Sequence, residues 1–233
     1  MLHVGINGRS IFRQMTGVQH YAREVTRALL SLPVNDISFS VFAGREGRSG
    51  ADTAMPVATS FWRADSPLKG MLWEQTLLVR MAKRAGIDVL FSPANVAPVL
   101  PGVPSVVTIH DLAFLLFPEY FSRSFAIYYR TLIPKVVRQA AAIITDSEST
   151  CADLQSHLGV PREKINVIPL GVSPGFRRAV SKEEKDDVRK RHSLPDKYFL
   201  SISSLEPRKN LKGVLAAYRL LPEEITRRHK LVI

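Results

Sequence analysis

The sequence has a single cysteine and lacks the marks of an exported or membrane-spanning protein. Cys151 is the only cysteine, so an intrachain disulfide is excluded and a reducing compartment is expected. The N-terminus meets a charge too soon, at Arg9, to form a signal peptide. The most apolar region, residues 87–117, is broken by prolines and by His110 and Asp111, which argues against a transmembrane helix. These absences predict a cytoplasmic protein, with peripheral binding to a membrane still open.

The patterns of nucleic-acid-binding modules are also missing. No zinc motif, RNP motif or basic block interleaved with aromatics is present, so nucleic acid ranks last among the partners. Lys and Arg nevertheless number 32 against 21 Asp and Glu, which gives a net charge of +11 and a pI near 10.0. An anionic membrane surface and anionic small substrates, such as nucleotide phosphates, are the favoured explanations of this charge.

Short apolar runs alternate with helical periodicities, which predicts an α/β fold. The predicted strands cover residues 2–6, 37–43, 87–92, 106–109, 142–145 and 165–168, with 57–62 a further candidate. The first predicted helix begins at Gly17, and three further helices cover residues 68–85, 122–141 and 150–158. Loops are predicted at residues 7–16 and 44–55. We expect Trp73 to be a core residue and Pro134 to kink its helix. This order predicts a doubly wound parallel sheet up to about residue 170.

Two positions lie where such sheets bind ligands. His110 and Asp111 directly follow the buried strand 106–109, and ligands bind outside the carboxyl ends of parallel strands. His110 therefore either contacts a ligand or ties down a loop through hydrogen bonds. Gly17 begins a helix after the first strand and loop, which is a generic anion site. The spacing is not G-x-G-x-x-G, so a plain helix start competes with that interpretation.

The helix predicted over residues 122–141 is rich in tyrosine, arginine and lysine. Such a composition is compatible with a basic, aromatic face that lies on a membrane. A solvated helix face is the more common explanation of the same pattern, and we favour it here.

The chain changes character after residue 172. Residues 173–197 are densely charged with mixed sign and are predicted to link two units. A strand at 198–203, a loop at 204–210, a helix at 211–221 and a strand from Lys230 follow. This is about one βαβ unit, which needs roughly 30 residues. We therefore expect a first domain at 1–172, the linker, and an incomplete second domain at 198–233.

Residues 201–211, S-I-S-S-L-E-P-R-K-N-L, resemble the start of the donor domain of retaining GT-B glycosyltransferases of family 4. Other stretches match that family in the same order along the chain. They are G-V-Q-H-Y at 17–21, S-P at 92–93 with Asn95, T-I-H-D at 108–111, P-E at 118–119, T-D-S at 145–147 and I-P-L-G-V at 168–172. Each motif is weak by itself, but the ordered set spans the whole chain and is specific.

The resemblance implies a GT-B-like fold and a set of site residues. The N-terminal Rossmann-like domain would bind the acceptor, and the C-terminal one a nucleotide-sugar donor. His110 would contact the donor sugar at the reacting centre, while Arg208 and Lys209 would bind the diphosphate and stabilise the leaving group; these three are the expected catalytic residues. The further donor- or acceptor-binding positions are Gly17, Asn95, Asp111 and Ser147.

This sequence departs from the family pattern in two places. Many relatives carry an arginine six residues before the lysine, where Ser203 stands here, so Arg208 is the expected substitute. The Glu-x7-Glu motif that grips the donor lies further along than residue 233, so this chain alone is predicted to be inactive. No D-x-D pair occurs, and neither a metal nor another cofactor is expected.

The resemblance implies hexosyl transfer with retention, most similar to that of mannosyltransferases. The acceptor would be a lipid-linked or oligosaccharide chain in the synthesis of cell-surface polysaccharide, including lipopolysaccharide, at the inner face of the plasma membrane. One rival is a nucleotide-sugar epimerase of the GT-B type, which would need a catalytic carboxylate set that the sequence does not display. The other is a truncated, non-catalytic binding domain.

Overall fold

The structure is a computed structural model that describes residues 1–13, 16–48 and 55–233. Its two gaps fall in the predicted loops 7–16 and 44–55, so parts of both loops, including Gly50, lie outside the described residues. The chain divides into two compact units, Met1–Leu170 and Gly171–Ile233.

The first unit is built on a seven-stranded parallel sheet with the order β3-β2-β1-β4-β5-β6-β7. The strands are β1 Leu2–Asn7, β2 Ile37–Ala43, β3 Val57–Thr59, β4 Val89–Ser92, β5 Ser105–Thr108, β6 Ala142–Thr145 and β7 Ile165–Val167. The predicted α/β, doubly wound fold is confirmed. The strand order reverses between β1 and β4, which is the topological switch point where such sheets form a ligand crevice.

Helices connect these strands. They are α1 Gly17–Leu30, α2 Pro67–Trp73, α3 Val79–Arg84, α4 Ala113–Leu116, α5 Arg123–Gln139 and α6 Glu148–Leu158. A π-helical turn, Glu74–Leu78, joins α2 to α3 within the predicted helix 68–85. The helix α5 runs without interruption through Pro134. The short helix α4 was not predicted; its first residue, Ala113, donates its N–H to Asp111 Oδ1 at 3.1 Å, in the loop just before the helix.

Apolar side chains of the helices pack on the sheet, as the periodicities require. Trp73 is buried, as predicted, and its Nε1 donates to Ser60 Oγ at 2.9 Å. The tyrosine, arginine and lysine side chains of α5 were expected to form a face exposed to solvent. This is correct for the cations but not for the tyrosines. Arg123 and Arg130 are exposed, whereas Tyr128 and Tyr129 pack against the core beneath β5 and β6.

The second unit contains α7 Lys182–Arg191, β8 Tyr198–Leu200, α8 Leu211–Arg219, α9 Glu223–Arg228 and β9 Lys230–Val232. The strands β8 and β9 pair in parallel, so β8-α8-α9-β9 is one crossover unit. The helix α9 was not predicted. It begins after Pro222, with acidic residues in its first turn and basic residues in its last, an arrangement that suits the helix dipole.

Candidate functional site

Polar side chains gather where β1 and β4 end, at the switch point of the sheet. Asn7 closes β1 and Ser92 closes β4, and both are buried. The Asn7 amide Nδ2 donates to Glu74 Oε1 at 2.9 Å and lies 3.5 Å from Ser92 Oγ. The π-helical turn thus supplies a carboxylate to the carboxyl edge of the central strands.

A buried ion pair lies directly beside this contact. The Arg9 guanidinium, in the loop after β1, pairs with the Glu74 carboxylate, and the Glu74 side chain is 1% exposed. Gly70 leaves the room for this pair, because a Cβ there would collide with the guanidinium of Arg9. Sequence reasoning missed the pair. The sequence does contain a sign of it: Glu74 lies four residues before Leu78 and therefore on the same, apolar face of its helix. A carboxylate on an apolar face needs a buried partner.

The His110 ring follows β5 and contacts three other segments of the first unit. Its Nδ1 lies 3.2 Å from Asp146 Oδ2, and its Nε2 lies 3.4 Å from the Pro93 carbonyl oxygen. The Tyr21 ring of α1 meets it edge-on, with the ring centroids 4.7 Å apart. Only 9% of the His110 side chain is exposed.

The backbone of His110 is held as firmly as its ring. Its N–H donates to Asn95 Oδ1 at 2.8 Å, and its carbonyl accepts from Thr150 Oγ1 at 2.9 Å. The loop-tying role is therefore present in the structure. The predicted contact with a donor sugar stays a prediction.

Tyr21 links α1 to the same edge of the sheet. Its hydroxyl lies 3.3 Å from Thr108 Oγ1, at the end of β5. Burial raises the pKa of Tyr21, because a phenolate loses hydration there. The side chain is consequently a neutral partner of the His110 ring.

The other predicted ligand positions of the first unit have separate structural roles. Asn95 accepts from the His110 backbone, and Ser147 caps α6 by accepting from the Thr150 N–H at 3.2 Å. Asp111 is exposed at the start of α4. Gly17 is the exposed first residue of α1, and a Cβ built there would meet no atom of the described residues within 4 Å. Gly17 and Asp111 are thus the most open of these positions.

The predicted cations lie in the second unit, in the turn before α8. Arg208 Nε donates to Glu206 Oε2 at 2.6 Å, and Ser204 Oγ donates to Glu206 Oε1 at 2.7 Å. Hydrogen bonds from Ser204 and then Arg208 lower the pKa of Glu206, because they stabilise its carboxylate. Lys209 is exposed. Asn210 caps α8, accepting from the Gly213 N–H at 3.2 Å.

Metal binding and membrane insertion each require a feature that can be recognised in the described residues. Within them, no three or more His, Cys, Asp or Glu side chains are grouped to hold a metal ion, and independence of a metal stays a prediction. Across the same residues, no helix is both long and apolar enough to span a bilayer.

The family described as Glycosyltransferase Family 4 matches residues 15–176, well over half of the sequence. The chain belongs to glycosyltransferase family 4. Among its relatives, the serotype-specific mannosyltransferase WbdA of Escherichia coli is 30% identical over 132 residues, which are 55% of this chain and 16% of WbdA. The O-antigen chain mannosyltransferase B of Escherichia coli is 28% identical over 129 residues, 55% of this chain and 34% of the relative. The matches thus span well under two thirds of either relative.

Solved structures agree with this family assignment at the level of the fold. Anabaena HepE in complex with UDP-glucose superposes with a TM-score of 0.69 at 16% identity, covering 99% of this chain and 60% of HepE. WaaG, a glycosyltransferase involved in lipopolysaccharide biosynthesis, gives a TM-score of 0.64 at 13% identity, covering 99% of this chain and 62% of WaaG. The predicted GT-B-like fold is confirmed.

Proposed function

We propose that the protein takes part in hexosyl transfer, most specifically mannosyl transfer, from a nucleotide-sugar donor to a glycan or lipid-linked acceptor, with retention of configuration. The pathway would be the synthesis of cell-surface polysaccharide such as lipopolysaccharide. The observation that carries this proposal is the 28–30% identity to two Escherichia coli mannosyltransferases within a chain of family 4. The sugar complex of the neighbour HepE supports a nucleotide-sugar donor.

The chemistry of the site residues is coherent with such a transfer. Cleavage of the donor's sugar–phosphate bond leaves a nucleoside diphosphate anion, and fixed positive charges directed at that anion lower the barrier. Arg208 and Lys209 would supply these charges without a metal. His110, at the carboxyl edge of the first sheet, would contact the donor sugar. Gly17 would admit the substrate beside the N-terminus of α1, whose dipole favours an anion.

The two rivals are less well supported. An epimerase would need carboxylates available for proton transfer, yet Glu74 is buried against Arg9 and Asp146 contacts His110. A purely binding role gains no support from the mannosyltransferase relatives. Both rivals remain distinguishable by the products that they would or would not form.

The test is a transfer assay on two polypeptides, the 233-residue chain and a version extended beyond residue 233 so that its second unit forms a complete donor domain. Both are incubated with a panel of mannose and glucose nucleotide donors and with lipid-linked oligosaccharide acceptors. We expect mannosyl transfer with retained anomeric configuration, read by NMR of the product, from the longer version only. Turnover by the 233-residue chain would overturn its predicted inactivity. Donor interconversion without an acceptor would favour the epimerase.

We further propose that the protein works in the cytoplasm and binds the inner face of the plasma membrane peripherally. The net charge of +11 supports this, as do the exposed cations Arg123, Arg130 and Lys135 of α5, beside the exposed Ile127. We expect sedimentation with anionic vesicles, but not with neutral ones, and a loss of binding at high salt because such attraction is screened over roughly 8 Å. Equal sedimentation with both vesicles would refute the membrane partner.

A further inference from the structure

The two ring nitrogens of His110 face two different hydrogen-bond acceptors. Nδ1 lies 3.2 Å from a carboxylate oxygen of Asp146, whereas Nε2 lies 3.4 Å from the carbonyl oxygen of Pro93. An ionised carboxylate can only accept a hydrogen bond. The shorter, charged contact therefore requires a hydrogen on Nδ1, because a lone pair on that nitrogen would face an anion.

We propose that Asp146 is a positioning residue that holds the hydrogen of the neutral His110 ring on Nδ1, so that the lone pair of that ring lies on Nε2. A neutral histidine in water favours the opposite tautomer, with its hydrogen on Nε2. Asp146 reverses that preference. The lone pair of the neutral ring then lies on Nε2, and the longer 3.4 Å contact with the Pro93 carbonyl is a hydrogen bond only when Nε2 also carries a hydrogen.

Contacts with neighbouring segments hold both His110 and Asp146 in place. Asp146 directly follows β6 and precedes Ser147, which caps α6, and Thr150 of α6 donates to the His110 carbonyl at 2.9 Å. The Tyr21 ring meets the imidazole edge-on with the ring centroids 4.7 Å apart, and burial, which raises the pKa of Tyr21, keeps the phenol uncharged. Among the described contacts of the ring, Asp146 supplies the charge, Tyr21 a neutral aromatic edge and Pro93 a carbonyl.

The decisive measurement is the tautomer of His110, which does not depend on any transfer activity. The chain is labelled with ¹⁵N at its 6 histidines, and ring-nitrogen NMR spectra are recorded across a pH series. His110→Gln identifies the His110 signals. We expect the neutral ring of the unsubstituted protein to show a protonated Nδ1 and a bare Nε2.

Three variants sharpen the result. Asp146→Ala should move most of the neutral ring to the Nε2–H tautomer. Asp146→Asn should keep Nδ1–H, because its amide oxygen still accepts that hydrogen bond. Asp153→Ala removes a carboxylate within α6 and should leave the His110 spectrum unchanged.

Two outcomes would overturn the proposal. One is an Nε2–H neutral tautomer in the unsubstituted protein, a result that stands even if Asp146→Ala fails to fold. The other is a folded Asp146→Ala protein with unchanged ring-nitrogen shifts.

A second experiment measures transfer kinetics, and it rests on the proposed transferase function. In the version with a complete donor domain, Asp146→Ala should lower kcat roughly tenfold with little change in the donor KM, as expected for misplaced acid–base or polar contacts at a reacting centre. Asp146→Asn should restore much of this loss. A complete lack of transfer by every version would refute the proposed function but leave the NMR result on Asp146 standing.

Discussion

The His110 cluster of the first unit and the Arg208 turn of the second are organised in opposite ways. His110 is held by Pro93, Asp146 and Thr150, which lie 17, 36 and 40 residues away in the chain. Arg208 is held by Glu206, only two residues away. The His110 side chain is 9% exposed and that of Arg208 is 34% exposed.

This difference separates a preorganised site from an adaptable one. Three strand ends and two helices fix the imidazole, so its orientation is set before any ligand arrives. The Arg208 guanidinium pairs with the neighbouring carboxylate of Glu206 on the surface, and such pairs contribute little to stability. We therefore expect substitutions at the edge of the first sheet to affect folding, and those in the turn to affect binding.

The largest expected effect comes from breaking the buried pair. Glu74→Ala should lower the free energy of unfolding by about 3–5 kcal/mol, because it removes the buried carboxylate that pairs with the Arg9 guanidinium. Urea denaturation measures this loss. The matched control is Glu206→Ala in the exposed turn, which should cost about 1 kcal/mol or less. Similar losses for the two variants would remove the contrast between the regions.

Donor binding should depend more on the Arg208 turn than on the edge of the first sheet, the reverse of the order expected for stability. In a version with a complete donor domain, Lys209→Ala should weaken nucleoside diphosphate binding by about 1.5–3 kcal/mol, the usual contribution of a charged hydrogen bond. Binding of the bare nucleoside and the melting temperature should change little. Calorimetry with both ligands separates the two contributions. If both ligands lost affinity equally, the turn would only support the fold.

Two tyrosine hydroxyls offer a smaller, matched comparison. Tyr21 contacts Thr108 in the first unit, and Tyr218 donates to the carbonyl of His229 at 2.9 Å in the second. Each change to phenylalanine should cost about 0.5–1.5 kcal/mol, the net worth of one hydrogen bond. Tyr21→Phe should also shift the His110 ring signals, whereas Tyr218→Phe should not. Unchanged His110 signals in Tyr21→Phe would argue against the preorganised cluster.

The smallest expected effect is the pH dependence of the exposed ion pair between Arg178 and Glu184. The hydrogen bond from Arg178, followed by that from Ser181, lowers the pKa of Glu184 from its ordinary 4.5 to about 2. A depressed acid pKa stabilises the folded state above 4.5 and loses that effect as the pH falls toward about 2. The first turn of α7 should therefore loosen in that window, seen as lower protection of its amides relative to the intrinsic exchange rate at each pH. Glu184→Gln should remove most of this change in protection and leave the smaller part that Glu183 contributes, since the pKa of Glu183 is also lowered.

The order of the elements followed from local features of the sequence. The strand beginning at residue 142 and the buried Trp73 are both predicted from apolar runs and helical periodicity. Each of these depends on residues within about one helical turn or one strand. The helices α4 and α9 escaped prediction because they are short, with 4 and 6 residues, and neither has a side-chain cap at its N-terminus. The family motifs were also local stretches, and the match to family 4 agrees with them.

The amino-acid sequence by itself therefore determined the α/β class, the family and the location of His110 at a strand end. Only the tertiary structure decided that Arg9 meets Glu74 and that His110 meets Asp146. The physical reason lies in the parallel sheet, whose crossover connections bring the carboxyl ends of strands together although they are far apart along the chain. No local pattern records which side chains will face one another across that edge, because strand order and register are set by the packing of the whole unit.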